Sequence, residues 1–182
     1  MSHAVSPPAA AEQSSGLTRA SLVAARRFIT IGSLAFWQGG FTFYGAVVIH
    51  VAHRVLGSHL PVGFITQRVS NWLNVIGAAT LLVLLLNLFI ARREGGKRLW
   101  WSLAATWAVM VITLIVLIAM HPMLDRLLDA QAREIVDGEQ FRPLHRMYLN
   151  VATVQWAAGL IHLWCLMMLT VARSPSGSGG EG

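Results

Sequence analysis

Four long runs without any Asp, Glu, Lys or Arg constrain the fold of this chain more than any other feature of its sequence. A helix needs about 20 consecutive apolar residues to cross the hydrocarbon core of a bilayer. Because lipid offers the backbone no hydrogen-bond partner, such runs must be helices rather than loops or single strands. The sequence therefore predicts an all-α integral membrane protein, a bundle of four transmembrane helices. The predicted spans cover about 28–50, 69–91, 100–120 and 145–172.

The composition agrees with this interpretation. Of the 182 residues, 55% are hydrophobic and 12% are charged, whereas a soluble domain carries about 25% charged residues. This balance excludes a soluble enzyme, a disordered chain and a disulfide-rich secreted module, and the one cysteine, Cys165, cannot form an intrachain disulfide. The net charge of +6 comes from basic residues that flank the spans, as the positive-inside rule requires. We therefore predict a lipid bilayer as the surroundings and no nucleic-acid partner.

Both ends of the chain are rich in small and polar residues. Residues 1–18 and 174–182 show no hydrophobic periodicity, so we predict disordered tails on either side of one transmembrane domain at 19–173. We expect no cleaved signal peptide, because the first apolar run starts only after Arg26 and Arg27 and is too long for one. Glycine and proline at 57, 61 and 63 predict a loop over 53–68.

Basic residues are concentrated in the short connection between the second and third spans, where they influence orientation most. They are Arg92, Arg93, Lys97 and Arg98. We therefore expect this connection and both termini to lie on the cytoplasmic side of a bacterial inner membrane. The other two connections then face outward.

The connection between the third and fourth spans has an amphipathic pattern. Pro122 is expected to end or kink the third helix. Beyond it, apolar and charged residues follow helical spacing, and Asp129 and Arg133 form an i,i+4 pair. We predict either a short amphipathic helix on the outer membrane surface, which ends near Gly138, or a plain continuation of the third helix. Pro143 is expected to open the fourth helix.

Two helix faces carry small and polar residues where lipid-facing helices carry leucine. On the fourth span this face consists of His145, Tyr148, Ala152, Gln155, Gly159 and His162. On the first span it consists of Gly32, Ala35, Gly39, Thr42, Ala46 and His53. Small residues let helices approach closely and polar side chains bond across them, so we predict that these two faces pack together. Gln38 and His162 lie at similar depth, and we expect His162 to bond either to Gln38 or to a backbone carbonyl.

Most of the histidines gather near the predicted outer face. Four of them are candidate ligands for a transition metal or haem b, namely His50, His53, His121 and His145. Polar residues at similar depth form a candidate second layer of Asn71, Asn74, Asp125, Tyr148 and Asn150. The alternatives are a hydrogen-bonded cluster without a cofactor, or unrelated surface histidines.

The sequence contains no recognised catalytic or metal-binding motif, so a role in binding or assembly is favoured over catalysis. The spans carry no carboxylate, which argues against a proton-coupled transporter. One hypothesis is a non-catalytic membrane protein that binds a metal ion or haem b through the outer histidines. The other is an accessory or assembly subunit of a larger membrane complex, such as an electron-transfer complex, or a homo-oligomer. A membrane enzyme or transporter that uses the outer polar residues is a third alternative.

Three short segments also carry a family resemblance: FWQGGFTFYGAVV at 36–48, NWLN at 71–74 and PLHRMYLNV at 143–151. Together they resemble a bacterial four-helix membrane domain family of unknown function that is related to the transmembrane protein 205 group. The resemblance covers roughly 27–172. It implies a small inner-membrane protein with four helices and no assigned reaction, and it points to Gly39, Asn74 and His145.

Overall fold

The computed structural model describes residues 9–57, 59–94, 96–129 and 134–171 of the chain. Helix α1 (Ala9–Phe43) continues through a π-helical segment (Tyr44–Val48) into helix α2 (Ile49–Leu56). Helices α3 (His59–Glu94), α4 (Lys97–Asp125) and α5 (Gly138–Val171) follow. Two short strands, β1 (Leu128–Asp129) and β2 (Glu134–Ile135), lie between α4 and α5.

Within the described residues, four helical stretches are long and apolar enough to span a membrane, which agrees with the predicted number of spans. They are Thr18–Leu56, Pro61–Arg92, Lys97–Asp125 and Gly138–Leu169, called here the first to fourth span. Helix α1 packs against α3 and α5, and α4 packs against the same two helices. The spans therefore follow one another around a four-helix bundle. One end of the bundle holds Gly57 and the two strands (the Gly57 end), and the other holds Gly96 (the Gly96 end).

Large apolar side chains form the core of the bundle. Its fully buried members include Leu34, Leu84, Leu103, Met110 and Leu117. Two tryptophans join α4 to α3: the Trp107 indole N–H donates to the Leu81 carbonyl at 3.0 Å, and the Trp100 indole N–H donates to the Leu88 carbonyl at 3.3 Å. These bonds satisfy the one polar atom of each indole inside an apolar contact.

The outside of the bundle is apolar as well. Phe36, Leu82, Ile112 and Ile161 lie on four different spans, and each side chain is more than half exposed. Soluble monomers rarely expose apolar surface on this scale. A bilayer would cover it, in agreement with the length and hydropathy of the spans.

One glycine determines how the first two spans meet. The Trp37 side chain of α1 is 2% exposed, and its indole lies directly against Gly77 of α3. A Cβ added at Gly77 would lie 2.5 Å from Trp37 Cζ2. The fit of the indole over this glycine turns the Trp37 face of α1 toward the bundle.

Helices extend beyond all four of the predicted spans. Because α1 begins at Ala9, the prediction of a disordered tail is wrong for residues 9–18; residues 1–8 and the predicted tail at 174–182 lie outside the described chain. Most of the predicted loop at 53–68 is also helical, because α3 begins at His59. Pro61 is tolerated there, since the first turn of a helix leaves its N–H groups unpaired anyway. Gly57, with a φ of 62°, ends α2.

In the described part of the connection between the third and fourth spans, two short strands stand in place of the predicted amphipathic helix. Helix α4 continues through Pro122 to Asp125, and β1 then pairs with β2 in an antiparallel ladder that aligns Leu128 with Ile135. The predicted Asp129–Arg133 ion pair requires Arg133, which lies outside the described residues. The backbone hydrogen bonds here form between the two strands rather than within a helix, so the residues do not lie on the two helical faces that the pattern predicted.

The start of the fourth helix also differs from its prediction. Gly138, predicted to end a helix, is the first residue of α5, and Pro143 lies inside that helix. The Asp137 carboxylate accepts the backbone N–H groups of Glu139 and Gln140, both at 3.0 Å. This N-cap explains the earlier start, because it satisfies donors that the first helical turn leaves unpaired.

Candidate functional site

A cavity of about 650 Å³ opens between the four spans at the Gly57 end. Its volume lies in the range of small-molecule sites. Every span contributes to its wall, and most of the lining is apolar, including Phe41, Ile49, Leu73, Leu124 and Leu149. The polar lining includes His53, Asn74, His121, Asp125, His145 and Tyr148.

The π-helical segment shapes one side of this cavity. Tyr44 and Gly45, which begin the segment, both line it. The Tyr44 hydroxyl donates to Thr66 Oγ1 at 2.8 Å, and the Thr66 hydroxyl donates to the Val62 carbonyl at the same distance. The widened helical turn is therefore attached to α3 by a side-chain hydrogen bond. Single π-helical turns inside α-helices are frequent at functional sites.

Three histidines on three spans reach the cavity, each in a different setting. His53 Nδ1 lies 2.9 Å from the Ile49 carbonyl, and because a carbonyl only accepts, this nitrogen carries the proton. His121 Nε2 lies 3.7 Å from Asp125 Oδ2, one helical turn away. The His145 ring stacks on Phe141, with ring centroids 5.4 Å apart.

Tyr148 of the fourth span lies near Ser70 and Asn74 of the second span at the same level. All three residues line the cavity. The arrangement can hold a hydrogen-bonding group on one side of a mainly apolar space.

The structure brings together six of the residues that the sequence analysis selected at this end: His53, Asn74, His121, Asp125, His145 and Tyr148. His50, Asn71 and Asn150 are exposed and do not line the cavity. Among the residues that the structure describes, no three His, Cys, Asp or Glu side chains are placed to hold a metal ion. The expected four-histidine metal site is therefore not formed, whereas a haem iron needs only one or two axial ligands.

The polar face predicted on the fourth span lies inside the bundle. Ala152, Gln155, Gly159 and His162 are buried, and His145 and Tyr148 are half-buried. The first span meets this face: Gln38 lies against Gly159, and the Trp156 indole N–H donates to Thr42 Oγ1 at 2.9 Å.

The face of the first span that enters the bundle is not the one we predicted. Thr30, Leu34, Trp37 and Gln38 are buried, whereas Ala35, Gly39, Thr42 and Ala46 are exposed. A Cβ added at Gly32 or Gly39 would meet nothing within 4 Å. The placement of the Trp37 indole over Gly77 accounts for this rotation.

His162 bonds to a residue that was not predicted from the sequence to be its partner. Its Nδ1 lies 2.8 Å from Thr106 Oγ1 of α4, so the predicted bond to Gln38 or to a backbone carbonyl is not the one formed. A second threonine of α4, Thr113, bonds to the Gln155 amide. Thr106 and His162 lie at equal distances from the Gly96 end, and this shared depth could have indicated that they pair. To use it, however, one must know which spans are neighbours.

The chain matches no family model, no curated protein and no solved structure. The resemblance to the transmembrane protein 205 group therefore stays a prediction.

Proposed function

We propose that this protein is a non-catalytic membrane protein that binds one small amphipathic molecule in the cavity at its Gly57 end. The observation that carries the proposal is a space of about 650 Å³ in which polar side chains from all four spans border mainly apolar walls. Convergent polar groups in an otherwise apolar pocket are the usual composition of a small-molecule site.

The lining indicates the chemistry of the ligand. Phe41, Leu73 and Leu124 offer an apolar surface, and His121, His145 and Tyr148 offer hydrogen-bonding groups. The expected ligand therefore has an apolar body and a polar head. Haem b is one molecule of this class, and an axial imidazole could come from His53, His121 or His145.

We also propose that the Gly57 end faces outward and that both termini lie in the cytoplasm of a bacterium. The exposed basic residues of the Gly96 end, Arg92, Lys97 and Arg98, support this orientation. The cavity would then be reached from the outer surface or from the outer leaflet.

A cavity-filling variant tests the ligand proposal. Ala152 lines the cavity and is 4% exposed, so Ala152→Phe should fill it, whereas Val154→Phe on the same helix changes a side chain that is 51% exposed. Organic extracts of the purified wild-type protein and of the Val154→Phe variant should contain one molecule in stoichiometric amount by mass spectrometry, and Ala152→Phe should have lost it. Equal amounts in all three proteins, or no bound molecule in any, would refute the proposal.

Element content and an optical spectrum of the same wild-type preparation decide whether the ligand is a haem or contains a metal. Iron near one atom per chain with a haem spectrum identifies haem b, and copper or zinc at that level identifies a bare ion. A metal-free preparation with a bound organic molecule leaves the cavity proposal in place and excludes both cofactors.

A second function, as an accessory subunit of a larger membrane complex, is supported by the small residues that remain on the outside of the first span. Gly39 has open space around it, so a helix of a partner could approach its backbone closely. In gentle detergent extraction, a stable partner should co-purify with the wild-type protein and with Ala79→Leu, which alters an exposed site on α3. Gly39→Leu should lose the partner, and a lone protein in all three preparations would count against this role.

A further inference from the structure

Two buried glutamine side chains below the cavity have no role in the proposed ligand site. Gln38 of α1 is 5% exposed and Gln155 of α5 is 1% exposed. Among the described residues, no group bonds to Gln38 Oε1 or to Gln155 Nε2. An amide atom that is removed from water without a partner is costly, so this amide pair, Gln38 and Gln155, requires an explanation.

Because Gly159 has no side chain, the bundle has space for the Gln38 amide group. A Cβ built at residue 159 would overlap the Gln38 amide group, so the amide occupies the space that any larger residue would fill. Gly159 lies one helical turn from Gln155, and residues four apart on a helix are neighbours on its surface. The amide group of Gln38 therefore lies within about one helical turn of the Gln155 side chain.

The carbonyl oxygen of the Gln155 amide already has a hydrogen-bond partner. Thr113 of α4 bonds to Gln155 Oε1, which holds the amide between α4 and α5. Gln155 Nε2 is therefore a donor without an acceptor, and Gln38 Oε1 is an acceptor without a donor, among the described residues. The two unpaired atoms are complementary, yet they do not bond to each other.

The position of the pair connects it to the cavity. Phe41 and Ala152, each three residues from one of the glutamines, line the cavity. Residues three apart on a helix share a face, so the amide pair lies directly below the inner end of the cavity. Water that enters the cavity from outside would need to pass only about one further helical turn to reach the amide pair.

We propose that Gln38 and Gln155 hold a water molecule inside the bundle, at the inner end of the cavity. This water accepts the free N–H of Gln155 Nε2 and donates to Gln38 Oε1, which meets the two-partner minimum of a buried water. The inference does not depend on which molecule the cavity binds.

Magnetisation transfer from water protons to side-chain amide protons, measured by solid-state NMR on the full chain in lipid vesicles, tests the proposal. Labelled glutamine supplies the signal, and its loss in Gln155→Met assigns it. The Trp107 indole N–H, which donates to the carbonyl of the buried residue Leu81, serves as the dry reference. The signal of Gln155 should build up several-fold faster than that of Trp107.

A second variant tests the shared role of the two amides. Gln38→Met removes the acceptor and preserves side-chain length, so transfer to Gln155 should fall toward the Trp107 rate, while an unchanged Trp107 signal shows that the bundle is intact. Wild-type Gln155 that is as slow as Trp107 would overturn the proposal, because the amides would then be dry. Fast transfer that survives Gln38→Met would overturn the assignment of the water to the pair.

Discussion

Single residues set the spacing of the helices in this bundle. Two glycines, Gly77 and Gly159, each receive a large side chain from α1, namely the indole of Trp37 and the amide of Gln38. By contrast, a Cβ added at Gly39 of the first span would meet nothing within 4 Å. The residue type alone therefore does not tell which glycine makes a close contact.

Gly77→Ala should destabilise the protein by about 1–3 kcal/mol, the usual effect of overpacking, because the added Cβ would lie 2.5 Å from Trp37 Cζ2. Gly39→Ala is the control and should be neutral or stabilising, since alanine favours the helix and its Cβ meets nothing. Thermal unfolding of the detergent-solubilised proteins measures the difference. Equal midpoints for the two variants would contradict the close contact.

Thr106→Val should also destabilise the protein, by about 1–3 kcal/mol, because it leaves the buried His162 imidazole without the hydroxyl that bonds it. Thr106→Ser keeps the hydroxyl and should restore most of the loss. Thr153→Val, where the threonine is exposed and bonds only to the Leu149 carbonyl, serves as the control in the same unfolding measurement. A Thr106→Val midpoint as high as that of Thr153→Val would show that the bond contributes nothing.

At the level of the helices, ends and irregular turns do not follow from the length of the apolar runs. Asp137 starts α5 well before the apolar run of the fourth span, and the π-helical segment interrupts the first span next to the cavity. Neither feature changes the hydrophobic pattern. The number of spans could therefore be predicted from the sequence, while the bounds of the helices could not.

Asp137→Ala should lower the free energy of unfolding by about 0.5–2 kcal/mol, the range for loss of an N-cap. The carboxylate accepts two backbone N–H groups of α5 at 3.0 Å, and alanine cannot replace it. Glu139→Ala, an exposed acidic residue in the same turn, controls for the loss of negative charge. If both variants unfold alike, the stabilisation comes from charge near the helix end rather than from the cap.

At the scale of the whole molecule, the proposed orientation in the membrane rests on the distribution of charge between the two ends of the bundle. By the positive-inside rule, the basic residues of the Gly96 end favour the cytoplasmic side for that end. The cavity lies at the opposite end, so the orientation would decide from which side the proposed ligand enters.

Cysteine labelling in intact cells checks this orientation. In a Cys165→Ala background, Gly57→Cys should react with a membrane-impermeant maleimide, whereas Gly96→Cys should react only after the cells are permeabilised. Both glycines are exposed and lie between spans, so the two variants should be equally accessible in detergent. Labelling of Gly96→Cys alone in intact cells would reverse the proposed orientation.

Local properties of the sequence determined the four spans and the inward face of the fourth one, because the length of an apolar run and helical periodicity do not depend on neighbours. The sequence pattern also predicted six of the polar residues that line the cavity at the Gly57 end. The tertiary structure alone decided the face that α1 turns inward, the Thr106 partner of His162 and the exclusion of His50 from the cavity. Each of these depends on the rotation of one helix against another, and the fit of Trp37 over Gly77 sets that rotation for α1.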